Sequence, residues 1–330
     1  MSGSCVGVDL GGTKVAAAAL LGSELGESVM RATELSSSEA LIDQLAELVG
    51  EATDGRLDAV GVGVPSIVEF NTGRVVSSVN VPLADVPLRQ VLGERLGVPV
   101  FVDNDATVAA LAEAHDENLQ LVARNLVMLT VGTGVGGGLV LGGRIYRGAT
   151  GGAGELGHTI VGLGLQGEEP VPEAQGFPQP GSLEAVASGH ALDRFARESS
   201  RLYPDSALGR LAAQGKTPTG VEVVATAKAG DEAARRTLEV WAERVGIGIA
   251  NAINTFDPDE VVLGGGATLA GDLLLEPARR VAESYIHPGL TGHATIRLAR
   301  HGVRAGVLGA ALLAEHELEE TPVRSTTEVS

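Results

Sequence analysis

Val6-Gly7-Val8-Asp9-Leu10-Gly11-Gly12-Thr13-Lys14-Val15 decides the fold. Val6, Val8 and Leu10 alternate as one face of a strand, Gly11 to Lys14 turns, and Val15 to Leu20 returns as the partner: a β-hairpin with a glycine tip. The same opening recurs from Leu126, where an apolar strand, the turn Gly132-Thr133-Gly134-Val135-Gly136-Gly137-Gly138 and a second strand ending near Ile145 repeat it. The chain therefore reads as internally duplicated. After the first hairpin, Ser36 with Glu39 forms a capping box ahead of Leu41, Ile42, Leu45, Leu48 and Val49 at helical spacing. A strand, Ala59 to Val64, follows. Asp85 can cap a helix carrying Leu88, Val91, Leu92 and Leu96, and the run Val98 to Val102 opens into Asp103-Asn104-Asp105 and a helix, Ala106 to Ala114. After the second hairpin come helices at about Ser182–Ser199, Thr219–Ala229 and Asp231–Thr255, and a strand Glu260–Leu263. A helix near Leu273–Tyr285, a strand Ala294–Leu298 and a helix near Ala305–His316 complete the series. Strands alternating with helices imply a mostly parallel sheet in each half. Gly162 to Gly181 is a loop on composition.

At 330 residues the chain exceeds the roughly 250 to 300 at which one core stops growing, so two lobes are expected. Acids outnumber bases 42 to 24, a net charge of -18, which repels phosphate backbones and anionic membranes and excludes nucleic acid as the expected partner. An anionic ligand must instead be held locally, by backbone N–H groups and a few placed cations. Cys5 is the only cysteine, which removes an internal disulfide and a multi-thiolate zinc site and fits a reducing cytoplasm. No stretch approaches the roughly 18 uninterrupted apolar residues needed to span a bilayer, and no membrane association is expected. The 46 glycines let backbone approach a ligand, whereas aromatics at 3% disfavour a site built on ring stacking.

Asp9 to Lys14 places a carboxylate at a strand end beside a turn whose amides can face a phosphate. An ordinary hairpin tip is the plainer reading, and a second such turn at the equivalent place weighs against it. Neither matches a P-loop or a dinucleotide fingerprint. In Asp103-Asn104-Asp105 one acid could simply cap the next helix, yet capping needs a single oxygen. A carboxylate at a strand terminus can also take a proton from a hydroxyl. Glu155-Leu156-Gly157-His158 adds an acceptor and a second titratable group in one turn, with a structural histidine as the alternative. Glu184 by itself reads as a first-turn helix acid favoured by the dipole. Leu238, Trp241 and Val245 mark a helix face read as core.

In this order these pieces resemble the ROK family of bacterial sugar kinases and related repressors, with an actin-like ATPase (ribonuclease H-like) α/β fold of two lobes and a central cleft. The resemblance rests on Asp9 to Lys14, Gly61 to Pro65, Asn80-Val81-Pro82, Asn104-Asp105-Ala106, Gly132 to Gly138, Glu155 to His158, Gly181 to Gly189 and Gly264-Gly265-Gly266. It implies ATP-dependent phosphorylation of a hexose, D-glucose foremost, with fructose, allose, mannose or N-acetylmannosamine as alternatives and a non-catalytic sugar sensor as the contrasting class. Asp105 matches the catalytic base. Asn104, Glu155, His158 and Glu184 match sugar-bonding positions, with Pro65, Ser66 and Asn80 lining the site. Asp9 matches the acid that orients Mg2+. Gly11, Gly12, Thr13 and Lys14 match one phosphate loop, Gly132, Thr133, Gly134, Gly136 and Gly137 the other, and Gly264, Gly265 and Gly266 the turn near the nucleoside.

Family members often carry three cysteines that bind a structural zinc with the histidine; 162–181 has none and Ser182 stands at the last position, so zinc is not expected. Thr107 stands where the family often has Asn. The stretch before Asp9 is too short for a helix-turn-helix, which disfavours the repressor branch. With only three lysines, Lys14, Lys216 and Lys228, a polyphosphate donor is disfavoured. The resemblance further implies a small lobe of 1–115 with about 303–316, a large lobe of 116–302, a flexible tail 317–330, a homodimer or homotetramer, and a cytoplasmic enzyme.

Overall fold

The computed structural model describes residues 4–320 except 54, 79, 166–170, 172 and 175. Two compact units emerge: one takes the described residues among Met1–Val122, Arg144–Ala153 and Val303–Ser330, the other those among Ala123–Gly143 and Gly154–Gly302. Sequence alone places the division at 115/116, with 144–153 in the second lobe.

In the first unit the strand Ser4–Leu10 pairs antiparallel with Lys14–Leu21 and parallel with Leu57–Val64, which pairs parallel with Val100–Asn104. The period-2 alternation of the opening strand sorts its side chains. Val6, Val8 and Leu10 are fully buried and join one apolar cluster with Leu41, Leu45 and Leu48 of the helix Ser38–Ala52 and Leu88 and Leu92 of the helix Leu88–Leu96. Cys5, Gly7 and Asp9 point the other way, onto the last helix, Ala305–Glu320. Cys5 clusters with Ala314, and a Cβ on Gly7 would lie 2.0 Å from the Val307 carbonyl oxygen. Asp9 thereby lands against Gly306, in the helix's first turn.

The second unit repeats the pattern. Leu126–Val131 pairs antiparallel with Val135–Leu141 and parallel with Glu260–Gly264, which pairs parallel with Thr295–Leu298. The duplication read from the glycine turns is thus a duplication of strand order. The helix Glu232–Phe256 buries Leu238, Trp241 and Val245, the face read as core, and the Trp241 indole N–H donates to the carbonyls of Ala187 and Ser188 at 2.9 and 3.1 Å.

Several expectations are corrected. The cap of the first helix is Ser37, whose hydroxyl accepts from the Ala40 N–H; Ser36 instead donates its N–H to Glu34. Asp85 does not cap the helix after it. It sits at φ 59° paired with Arg74, and Pro87 occupies the cap position. The glycine turn of the second hairpin is shorter than read, since Gly136 to Gly138 lie in the strand Val135–Leu141. Ser182–Ser199 is two helices, Leu183–Ala187 and Gly189–Leu202, broken where Ser188 turns extended to cap the second. The final helix runs to Glu320, so 317–320 is helical; the rest of the expected tail, like part of the 162–181 loop, lies outside the described residues.

Candidate active site

The triplet after the Val100–Asn104 strand divides its tasks. Asp103 is buried, with its side chain 4% exposed; one oxygen accepts from Arg147 Nε at 2.6 Å and the other from the Asn104 N–H at 2.9 Å. Burial pushes its carboxyl up, and the Arg147 charge pulls it partly back. Asn104 is the helix cap: its Oδ1 accepts the N–H groups of Ala106 and Thr107 at 2.9 and 3.2 Å, and its Nδ2 donates to the Ser66 carbonyl at 3.3 Å. Neither the cap nor the Arg147 ion pair therefore falls to Asp105, the first residue of the helix, whose Oδ1 accepts the Ala106 N–H at 2.7 Å. Pro65 ends the neighbouring strand and starts Ser66 on a new course. The Ser66 hydroxyl is buried without a hydrogen-bond partner among the described residues, an orphaned donor beside the Asn104 amide.

Asp9 lies at the same, C-terminal end of this unit's parallel strands, level with Gly63, which is in turn level with Asp103. Burial raises its carboxyl above the ordinary range, and the Lys14 charge lowers it in part. The turn Gly11–Lys14 is pinned by the Gly11 N–H to the Lys14 carbonyl at 2.9 Å and by Thr33, whose hydroxyl donates to the Gly11 carbonyl at 2.7 Å. Asn80 backs this turn at Gly12, where a Cβ would come 3.1 Å from the Asn80 Cβ. Thr13 and Lys14 are exposed. No group of three or more His, Cys, Asp or Glu is placed to hold a metal among the described residues. Mg2+ does not require one, because it keeps several waters and is bound through one or two carboxylates plus substrate phosphates. A buried, undercompensated Asp9 beside an amide-lined turn fits that donor set.

In the second unit Glu184 has a task that the sequence did not suggest. Its Oε2 accepts the Val135 N–H at 2.8 Å, and Gly134 lies so near that a Cβ there would be 2.4 Å from the same oxygen. The glycine turn is also held by the Gly189 N–H, which donates to the Gly132 carbonyl at 2.7 Å. Glu155 and His158 meet in one short turn, His158 Nε2 being 3.5 Å from Glu155 Oε2. His158 Nδ1 is buried with no hydrogen-bond partner among the described residues, and the ring packs edge-on against Phe177.

A cavity of about 710 Å³ opens beside Gly132 and Thr133, within the size range of ligand pockets. Gly132, Thr133, Gly189 and Gly266, the apolar Val221, Val224, Trp241 and Leu269, and Lys228 are among its lining residues. A cavity that joins apolar side chains to a glycine turn suits a nucleotide. Gly264 and Gly265 are not among its walls; Gly264 packs on Met128. Nothing in the local sequence marks Val221 and Leu269, whose exposure of more than 70% emerges only in the fold. A larger groove of about 980 Å³ along Leu202–Ser206 and Asp231–Glu243 contains none of the residues singled out for chemistry.

A sequence model of the ROK family matches residues 5–317. The chain is 35% identical to a glucokinase of Halalkalibacterium halodurans over 94% of its length and 95% of that protein. It superposes with a TM-score of 0.77 on a ROK family glucokinase of Streptomyces griseus in complex with glucose and AMPPNP, at 31% identity over 95% of this chain and all of that one. A ROK hexokinase of Thermus thermophilus gives a TM-score of 0.76 at 37% identity, covering 96% and 99% of the two chains.

Proposed function

The chain belongs to the ROK family and has its actin-like ATPase fold, and from that premise we propose that it transfers the γ-phosphoryl group of ATP to the 6-hydroxyl of D-glucose, giving glucose 6-phosphate and ADP. The observation that supports this most is the division of labour at 103–105: Asn104 caps, Asp103 is ion-paired, and Asp105 stands in the first turn of a rigid helix. Asp105 acts as the base. It accepts the hydroxyl proton as the sugar oxygen bonds to the γ-phosphorus and the bond to the bridging β–γ oxygen breaks. Phosphoryl transfer passes through a loose transition state, so positioning and charge stabilisation supply most of the rate.

The sugar-binding groups of this proposal are Asn104 Nδ2, the orphaned Ser66 hydroxyl, Asn80 and the Pro65 turn in the first unit, and Glu155, His158 Nδ1 and Glu184 in the second. The phosphates are held at the turns Gly11 to Lys14 and Gly132-Thr133-Gly134 by N–H groups other than those of Gly11 and Gly132, which close the turns onto the Lys14 and Gly134 carbonyls, with Gly136 and Gly137 in the strand adjoining the second turn. The nucleoside occupies the 710 Å³ cavity, with Gly266 in its wall and Gly264-Gly265 behind. Asp9 would hold Mg2+, which would supply charge neutralisation for the transferring phosphate. With a net charge of -18, these local donors must hold the nucleotide against the long-range field. A homodimer or homotetramer and a cytoplasmic location belong to the same proposal. No helix among the described residues is long and apolar enough to cross a membrane, and burial pushes the single thiol, Cys5, up to about 11.

Coupled ADP release with ATP across a panel of hexoses tests the reading. The highest kcat/KM is expected for D-glucose. A higher value for fructose, allose, mannose or N-acetylmannosamine would reassign the acceptor, and no release with any sugar would turn the reading to a sensor.

A further inference from the structure

Asp105 is carried on a junction that another side chain holds from behind. Arg147 belongs to the 144–153 stretch, which the chain lends to the first unit between two stretches of the second. Its Nε donates to Asp103 Oδ2 at 2.6 Å, its terminal nitrogen to Glu317 Oε1 at 3.0 Å, and its guanidinium lies 3.4 Å over the Phe70 ring. Asp103 relays this through its second oxygen to the Asn104 N–H, and Asn104 in turn binds the first two free N–H groups of the helix that begins with Asp105. We propose that Arg147 is a positioning residue for phosphoryl transfer: by fixing Asp103, it fixes the strand-to-helix junction and hence the direction of the Asp105 carboxylate.

The proposal rests on the reading of Asp105 as the base. Two physical features carry it. The link is a charge-assisted hydrogen bond in a dry site, with Asp103 4% and Arg147 20% exposed, so it is not the weak, screened pair of a protein surface. The guanidinium fork binds two carboxylates in different directions while stacking on a ring, which an ammonium cannot reproduce. Arg89 also faces Asp103 from the Leu88–Leu96 helix, but it acts on Asp103 through its charge rather than by a direct bond, and it leans on Phe70 and Phe101.

The test uses the full-length enzyme with Arg147→Met, Arg147→Lys and the double variant Asp103→Asn/Arg147→Met, which removes both buried charges should the single change leave Asp103 unpaired and the protein unfolded. Displacing a reacting group by about 1 Å costs on the order of 100-fold. The expected result is a kcat roughly 10- to 100-fold lower in Arg147→Met and in the double variant, with KM for glucose and for ATP changed less than about twofold and partial recovery in Arg147→Lys. Wild-type kcat in a folded Arg147→Met or double variant would overturn the proposal, as would a loss confined to thermal stability or to KM. Asp105→Asn, measured alongside, separates the two levels: retained turnover there sinks the base assignment, whereas lost turnover there with wild-type kcat in the Arg147 variants sinks only the positioning role.

Discussion

Replacing Gly306 by Ala puts helix propensity and active-site geometry in opposition. Within a helix this exchange ordinarily gains about 1 kcal/mol. Here the new Cβ would lie 2.4 Å from both Cγ and Oδ2 of Asp9 and 2.8 Å from Oδ1. Restoring ordinary contact requires the carboxylate or the helix to withdraw by roughly 1 Å. Asp9 is held between its own strand and the helix, so the strain cannot be shed by swinging a flexible tip. Overpacking of this kind costs about 1–3 kcal/mol, which leaves a net destabilisation between nothing and about 2 kcal/mol once the propensity gain is subtracted. Stability therefore changes little, and function decides. If Asp9 orients Mg2+, a shift of that size lowers kcat/KM for MgATP by on the order of 100-fold, with a raised Mg2+ requirement and little change in glucose binding. The assay is initial rate against ATP at several Mg2+ concentrations, with a thermal melt on the same preparation. A higher Tm with unaltered kcat/KM for ATP would refute the reasoning.

Three further perturbations follow from the same geometry. Burial raises the Asp9 carboxyl, so its contribution to stability is full at low pH, where it is protonated in both states, and is lost as pH rises through the raised folded value; Asp9→Asn should raise stability in urea at neutral pH while removing Mg2+-dependent turnover, and a fall in stability would contradict the sign. Glu184→Ala leaves the Val135 N–H without its acceptor, worth about 1–3 kcal/mol if it stays dry, and should raise KM for ATP as well as for glucose; an effect on glucose alone would remove its role in holding the glycine turn. Prolonged EDTA treatment followed by Mg2+ should restore full activity with no loss of Tm, and a fall in Tm reversed only by zinc would reject the expectation that 162–181 needs no metal.

The duplicated hairpins were legible because period-2 alternation followed by glycines is a local signal, and Val6, Val8 and Leu10 bury as that alternation requires. The helical spacing of Leu41 to Val49 was legible for the same reason. What failed depended on partners distant in sequence. Asp85 looks like a cap until Arg74 draws it into a left-handed conformation. The break at Ser188 is enforced by the Gly189 N–H reaching the Gly132 carbonyl, a bond with no trace in the local composition. The acids after His316 read as a solvated tail, yet Glu317 and Glu320 pair with Arg147 and Arg144 and keep the helix going. The hairpin Ser66–Glu69 with Arg74–Ser78 was missed because its strands are short and carry exposed Ile67 and Val76. Among the chemical residues, sequence pointed to Asp9, Asn104 and Asp105, but not to Gly306 or Arg147, which act by adjacency that only folding creates.

The most direct measurement is single-turnover phosphoryl transfer by Asp105→Asn with saturating MgATP and glucose, set beside glucose affinity by calorimetry. Loss of the base should slow transfer by about 10²–10⁴-fold while the variant melts like the wild type and binds glucose within about threefold, because Asn104 still caps the helix. Transfer at a near-wild-type rate would contradict the account.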